Sequence, residues 1–368
     1  MADEFVASTK DEVLERLKED YAALKGTDAS EVEGTFSFDT LAANAVEFEK
    51  AYAEMELAVE AAFPQTSWGE YLDNQADALA GITRRPATAS IAVLTITGTA
   101  GVTVPAGSLF ATAGSVNFNT DEAVTIGDGG TASVKATCQT TGSSGNVGAG
   151  TITEIPVTIY GVSSVTNAEP AYNGYDKETD ESLLERLLFK VRQPATSGNV
   201  YHYIEWATSV SGVGAVKVLP LWNGNGTVKI IVVDANTDVP SEDLLQSVRD
   251  AIAEEAPIGA TVTVVAPTVQ TVDISLTCTE GTADADAIKT ALTKYFKSEV
   301  FGTNYEDIES LDDDVTISYA QIGHIILDNV DTTGVKDYAN LLVNGATDNI
   351  TVTAETLPVV GTVTVNEP

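Results

Sequence analysis

At 368 residues the chain has room for about two or three domains, each large enough to bury a core. Its 19 basic and 54 acidic residues leave a net charge of −35. That field repels nucleic-acid phosphates and anionic lipid, which need Lys and Arg to replace their counterions, so neither is an expected partner. The same surplus suits a solvated surface and is compatible with basic protein partners or with bound cations.

The chain starts Met1-Ala2-Asp3-Glu4-Phe5, without the basic and apolar regions of a signal peptide, and synthesis in the cytosol is expected. No apolar run approaches the roughly 18 residues that a membrane span requires. Residues 1–86 read as helical. Thr9-x-x-Glu12 is a capping-box pattern, Val13, Leu14, Leu17, Tyr21 and Leu24 recur at helical spacing, and Gly26 stops the run. The next helix carries Leu41, Ala45, Phe48, Tyr52, Met55, Val59 and Ala62 in alternating four- and three-residue steps, a seam of coiled-coil period. Glutamates and Lys50 fill its flanks, and Pro64 ends the segment. Two readings of the seam stand: packing on the chain's own first and third helices, or packing on another subunit. A shorter helix spans about Gly69 to Ala80.

From 87 to 166 the character is β. Apolar residues alternate in Ile91, Val93 and Thr95, in Val134, Ala136 and Cys138, and in Ile155, Val157 and Ile159. Pro105-Ala106-Gly107 suits a turn and Asp128-Gly129-Gly130 a hairpin tip. A sandwich or a strongly bent sheet is expected here.

Residues 167–267 open with a hinge containing Pro170, Asn173 and Gly174. A helix capped by Thr179 follows, with Leu183, Leu184, Leu187, Leu188 and Val191 as its buried stripe. An α-β-β-α-β run comes next, its last helix capped by Ser241; the order resembles a ferredoxin-like half-sheet. Residues 268–368 form a further α+β domain, and Ile350 to Val365 either completes its sheet or extends to a neighbour. The expected fold is thus multidomain α+β: helical N-terminal segment, mainly-β centre, and α/β domains of ferredoxin-like character behind it.

The chemistry of catalysis is sparse. His202 and His324 are the only imidazoles, each reading as a packed or half-exposed helix residue. Cys138 and Cys278 fall in strand-like segments and read as buried thiols. No Cys-x-x-Cys, His-Glu-x-x-His, Gly-x-Ser-x-Gly or phosphate-loop pattern occurs. The acidic run Glu306, Asp307, Glu309, Asp312, Asp313 and Asp314 lacks calcium-loop spacing and reads as a solvated loop rather than a cation site. No catalytic, cofactor-binding or metal residue is assigned, and no cofactor is expected. The basic doublet Arg84-Arg85 reads either as ion pairs at a domain or subunit joint or as a plain exposed pair.

One resemblance organises these pieces. From Trp68 to Asp234 the chain carries, in order, Gly69-Glu70-Tyr71-Leu72-Asp73, Ala80-Gly81-Ile82, Arg84-Arg85-Pro86-Ala87-Thr88-Ala89, Thr97-Gly98-Thr99-Ala100-Gly101 and Val104-Pro105-Ala106-Gly107-Ser108-Leu109-Phe110. Then come Gly142-Ser143-Ser144-Gly145-Asn146-Val147, Ala149-Gly150-Thr151-Ile152, Ala195-Thr196-Ser197-Gly198-Asn199, Gly212-Val213-Gly214 and Pro220-Leu221-Trp222-Asn223-Gly224. This succession resembles the baseplate J-like family, the wedge proteins of contractile phage tails and phage-tail-like (R-type) bacteriocins. The resemblance implies a structural protein that is not an enzyme. Copies would associate with one another in a ring around the hub, together with a smaller wedge protein, the sheath initiator and fibre-bearing components, and would rearrange when the tail fires. Assembly in the cytoplasm and then a place in the particle's baseplate are implied. The resemblance also favours the inter-subunit reading of the helix seam. The rival class is a β-rich surface or carbohydrate-binding module, against which the seam and the missing signal peptide both count.

Overall fold

The computed structural model describes residues 6–26, 32–193, 195–301 and 314–366. The chain divides into two compact units, one formed by residues 1–84 with 179–191, the other by 85–178 with 192–368. The architecture is mixed α/β.

The first unit is helical. Helix α1 (Lys10–Lys25) begins with the expected capping box: Thr9 Oγ1 accepts from Glu12 N, and Glu12 Oε2 accepts from Thr9 N at 2.9 Å. It ends at Gly26, whose φ of 65° places it in the left-handed region. Helix α2 (Phe36–Ala61) runs antiparallel to α1, because Lys10 N donates to Glu49 and Tyr21 meets Ser37 at the opposite end. Val13, Leu14 and Ala45 are buried between them, with Leu17, Phe38, Leu41, Ala42 and Tyr52 packed around. Helix α3 (Gly69–Ala80) buries Leu72 and Ala76 against Leu183 and Leu187 of α4 (Asp180–Arg192). The sequence groups α4 with the α/β run that follows it. Its leucine stripe instead finds a partner more than 100 residues earlier in the chain.

The second unit opens with β1 (Ala89–Gly98), β2 (Thr103–Val104), β3 (Leu109–Thr112), β4 (Asn117–Thr120), β5 (Val124–Thr125), β6 (Thr131–Thr141), β7 (Ile152–Glu154) and β8 (Val162–Asn167). Six of them form one sheet in the order β7-β3-β4-β6-β1-β8. Strand β1 pairs antiparallel with β6 and β8 and turns Ala92, Leu94 and Ile96 inward, the period-2 pattern of a sheet with one buried face. The edge strands β7 and β8 approach each other, and Asn167 Oδ1 accepts from Ile152 N at 2.9 Å. The sheet therefore bends until it is nearly a closed barrel around Phe110, Phe118 and Ile126. Of the two expected forms, the bent sheet is the one present.

Beyond the barrel come α5 (Val200–Ser209), β9 (Val213–Pro220), β10 (Thr227–Asp234), α6 (Glu242–Glu255) and β11 (Thr261–Val265), in the order read from the sequence. Their sheet has three strands, β11-β10-β9, with β10 antiparallel to β9 and parallel to β11. The likeness to a ferredoxin-like half-sheet extends to that order of elements. Helix α5 packs along β9 and α6 along β11.

The remainder comprises β12 (Thr268–Gly281), α7 (Ala285–Phe301), β13 (Val315–Ile317), α8 (Tyr319–Asp328), α9 (Val330–Thr333), β14 (Val335–Val343), β15 (Ile350–Val352) and β16 (Thr356–Asn366). A sheet of order β14-β12-β16 is completed by β16, which lies parallel to β12. Ala215, Leu219, Ile231 and Val233 of the preceding sheet join Val272, Ile274, Leu276, Leu292 and Phe296 in one core. The two α/β segments thus share a hydrophobic interior.

Candidate assembly surfaces

His202 and the two cysteines are engaged in packing, and His324 is not. His202 Nδ1 accepts from Gly198 N at 3.1 Å, and its ring stacks on Trp206 with centroids 4.8 Å apart. His324 is exposed on α8. Cys138 and Cys278 are buried free thiols. Among the described residues no group of three or more His, Cys, Asp and Glu converges as a metal site. Glu306, Asp307, Glu309, Asp312 and Asp313 of the acidic run lie outside the described residues, and Asp314 is exposed. No helix among the described residues is long and apolar enough to cross a membrane.

The apolar seam of α2 is divided in two by the reach of α1. Ala45 is buried, and Leu41 and Tyr52 are half-buried against α1. Arg16 of α1 lies 5.4 Å over the Tyr52 ring. Past that point α1 has ended. Met55 is 45% and Val59 43% exposed there, Ala62 at the C-cap is exposed as well, and Phe48, which lies beside α1 but faces away from it, is 47% exposed. Leu57 and Phe63, which the heptad spacing passes over, are also in water. The signal for Phe63 lies in its place next to Ala62, one step off the seam at the helix end.

Each arginine of the doublet serves one unit. Arg84 pairs with Asp73 of α3 and Asp180 of α4, each at 2.6 Å, and holds those two helices at their ends. Arg85 pairs with Glu178 and donates from Nη1 to the main-chain carbonyls of Thr208, at 3.1 Å, and Val213. It thereby ties the segment that leads into the barrel, the segment that follows it and the α5–β9 turn.

Two further features escape a reading by motif. Lys217 sits on β9 on the face that carries Ala215 and Leu219, with its Nζ 5.0 Å from the Phe301 ring. Burial lowers its pKa to about 8. The signal for it is a lysine interrupting an apolar alternation. At one end of the β9–β11 sheet, Leu221 and Trp222 of the β9–β10 hairpin and Ile258 before β11 are exposed. Trp222 is held there by Lys229, whose Nζ lies 4.6 Å from its ring and 2.7 Å from Glu355.

Comparison with known proteins covers both α/β segments and the barrel. Three family models match in succession: the Baseplate J-like protein barrel domain over residues 93–174, the Baseplate J-like central domain over 195–266 and the Baseplate J-like protein C-terminal domain over 271–366. The Phage-like element PBSX protein XkdT of Bacillus subtilis (strain 168) is 33% identical across 99% of this chain and 99% of its own length. YqbT of the same strain is 32% identical with the same coverage. Baseplate protein gp47 of Escherichia phage Mu is 32% identical over 60% of this chain and 65% of its own.

Proposed function

Because the chain belongs to the baseplate J-like family, we propose that it acts as a structural wedge component of a contractile tail's baseplate, joined to further copies and to a smaller wedge partner in a ring around the hub. Such a ring needs complementary surfaces and alternative packings rather than a substrate pocket. The observation that carries this reading is the uncovered half of the α2 seam. Phe48, Met55 and Val59 are spaced to meet a helix, and α1 does not reach the last two. The exposed Leu221, Trp222 and Ile258 supply a second apolar surface on the α/β half, which we assign to contacts between copies. Relay of the contraction trigger through these contacts, and docking to the sheath initiator and fibre-bearing components, belong to the same proposal. So does the absence of catalysis, since the relatives named for a role are baseplate proteins.

The experiment is deletion of the gene in a strain that produces the particle, followed by electron microscopy and complementation. Tails lacking baseplates, restored by the wild-type chain and not by Phe48→Asp, are expected. Intact, contractile particles from the deletion strain would overturn the assembly role. Normal particles from Phe48→Asp would remove α2 from it.

A further inference from the structure

Four Asn-Gly dipeptides occur in the chain: Asn173-Gly174, Asn223-Gly224, Asn225-Gly226 and Asn344-Gly345. In such a pair the glycine nitrogen can attack the asparagine side-chain carbonyl, because no Cβ shields it. The attack needs a free N–H and a side chain able to swing onto it. Three of the four pairs lack one or both. Gly174 is buried, its N–H is given to Asn146 Oδ1 at 2.9 Å, and Asn173 Oδ1 accepts from Ser241 Oγ at 2.7 Å. Asn344 bonds Asp273 of β12 twice, its N donating to Asp273 O and its Oδ1 accepting from Asp273 N, each at 2.8 Å. Gly224 N donates to Leu221 O at 3.1 Å inside the β9–β10 hairpin. Asn225 and Gly226, at the tip of that hairpin, are both exposed. Among the described residues neither the Asn225 side chain nor the Gly226 N–H has a hydrogen-bond partner.

We infer that Asn225 is a modification site, the position at which the folded chain deamidates through a cyclic imide, with water as the co-reactant. The Gly226 nitrogen gives its proton to solvent base and bonds to Asn225 Cγ. The Cγ–Nδ2 bond then breaks, and Nδ2 takes up a proton and leaves as ammonia. Water adds to either carbonyl of the five-membered imide. Breaking the bond from nitrogen to Cγ leaves an aspartate side chain on an unchanged main chain. Breaking the other routes the main chain through Cγ as isoaspartate and lengthens the hairpin tip by one carbon. No oxidant or reductant enters. The new carboxyl ionises, so each event adds a negative charge beside the exposed Leu221 and Trp222. The other three pairs must first break a native hydrogen bond, so the fold selects one site among four of the same chemistry.

The test holds the purified full chain at mildly alkaline pH and follows its tryptic peptides by tandem mass spectrometry, with a zero-time sample to subtract conversion during digestion. Asn223 and Asn225 share the peptide 218–229, and its fragment ions separate them. Conversion at Asn225 should outpace each of the other three by about tenfold or more, the effect of one hydrogen bond that must open first. In guanidinium chloride the four rates should converge. Asn225→Ser removes no hydrogen bond, so it should keep the wild-type melting curve. Its ammonia release, and its labelling by a protein isoaspartyl methyltransferase, should fall to the slow background of the other sites. Conversion of Asn173, Asn223 or Asn344 as fast as Asn225 in the folded chain overturns the inference, as does conversion at Asn225 only after unfolding. An unfolded chain that keeps the folded order of rates overturns it too, because flanking sequence rather than hydrogen bonding would then select the site. Fast ammonia release that survives in Asn225→Ser places the reaction elsewhere and overturns it as well.

Discussion

Arg85 and Glu178, 93 positions apart in the chain, hold each other by main chain and side chain together. Arg85 N donates to Glu178 Oε2 at 2.9 Å, Arg85 Nη2 pairs with Oε1 at 2.9 Å, and Glu178 N donates to Arg85 O at 3.1 Å. The Glu178 side chain is 1% exposed. A carboxylate this deep is tolerable only because its charge and its lone pairs are satisfied at once.

Glu178→Ala should therefore lower the stability of the second unit by about 3–5 kcal/mol, because it strands a buried guanidinium. Glu178→Gln keeps an acceptor for Arg85 N and should cost less. Urea unfolding followed by tryptophan fluorescence checks the order wild type, Gln, Ala; equal midpoints would contradict it.

Lys217 gives a pH dependence of the same sign as acid loss, displaced to the alkaline range. Its folded pKa of about 8 lies below the ordinary value of 10.5. Between those values the unfolded chain keeps a proton that the folded chain releases, so stability rises with pH through that window and the full penalty is present below it. The gap corresponds to roughly 3 kcal/mol at neutral pH, part of which the Phe301 ring offsets. Lys217→Met should raise the unfolding free energy at pH 7 by about 1–3 kcal/mol and flatten the slope between pH 8 and 10. Unfolding curves at pH 7, 8, 9 and 10 test both statements.

Gly174 should tolerate no side chain. A Cβ there would lie 2.0 Å from Ser90 Oγ and 2.6 Å from Gly142 O. Asn146 bonds Gly174 twice, donating from Nδ2 to Gly174 O at 2.7 Å and accepting at Oδ1 from Gly174 N at 2.9 Å. Gly174→Ala is expected to cost about 1–3 kcal/mol by overpacking. Gly129→Ala, with open space around it, is the matched control, and thermal melts compare them.

On α2, Ala45→Asp and Met55→Asn should separate folding from docking. Ala45 is fully buried, and a carboxylate there should unfold the α1–α2 pair, seen as lost helical circular dichroism. Met55→Asn should leave the spectrum unchanged and the unfolding free energy within about 0.5 kcal/mol of wild type, as exposed substitutions do.

The elements themselves were legible because their signals are local. Thr9 with Glu12, Gly26, and Ser241 ahead of α6 mark helix ends through backbone bonds made within a few residues. The Gly142–Asn146 motif and the Asn173-Gly174 hinge were visible in the sequence, whereas their mutual bonding was not, since it depends on the barrel bringing them together. Period identifies which residues of α2 share a stripe; how far α1 covers that stripe depends on where the two helices start, so the division at Tyr52 needed coordinates. The leucines of α4 likewise declare a buried face without saying against what. Arg84 and Arg85 were readable as ion-pair formers, and their separate duties followed only from the positions of Asp73, Asp180 and Glu178.

The parallel pairing of β16 with β12 bears on how the chain is made. Thr268 and Thr356 are register partners, so β12 leaves the ribosome about 90 residues before its neighbour exists, roughly 4–18 s at ordinary translation rates. For that interval β12 has an open edge, and the apolar faces of β9 and β10 that share its core have no finished layer to cover them. A ribosome stalled between residues 281 and 356 would hold a sticky nascent chain with a largely formed barrel behind it. Exposed apolar side chains persist on the finished protein; this open edge lasts only until β16 arrives to close it.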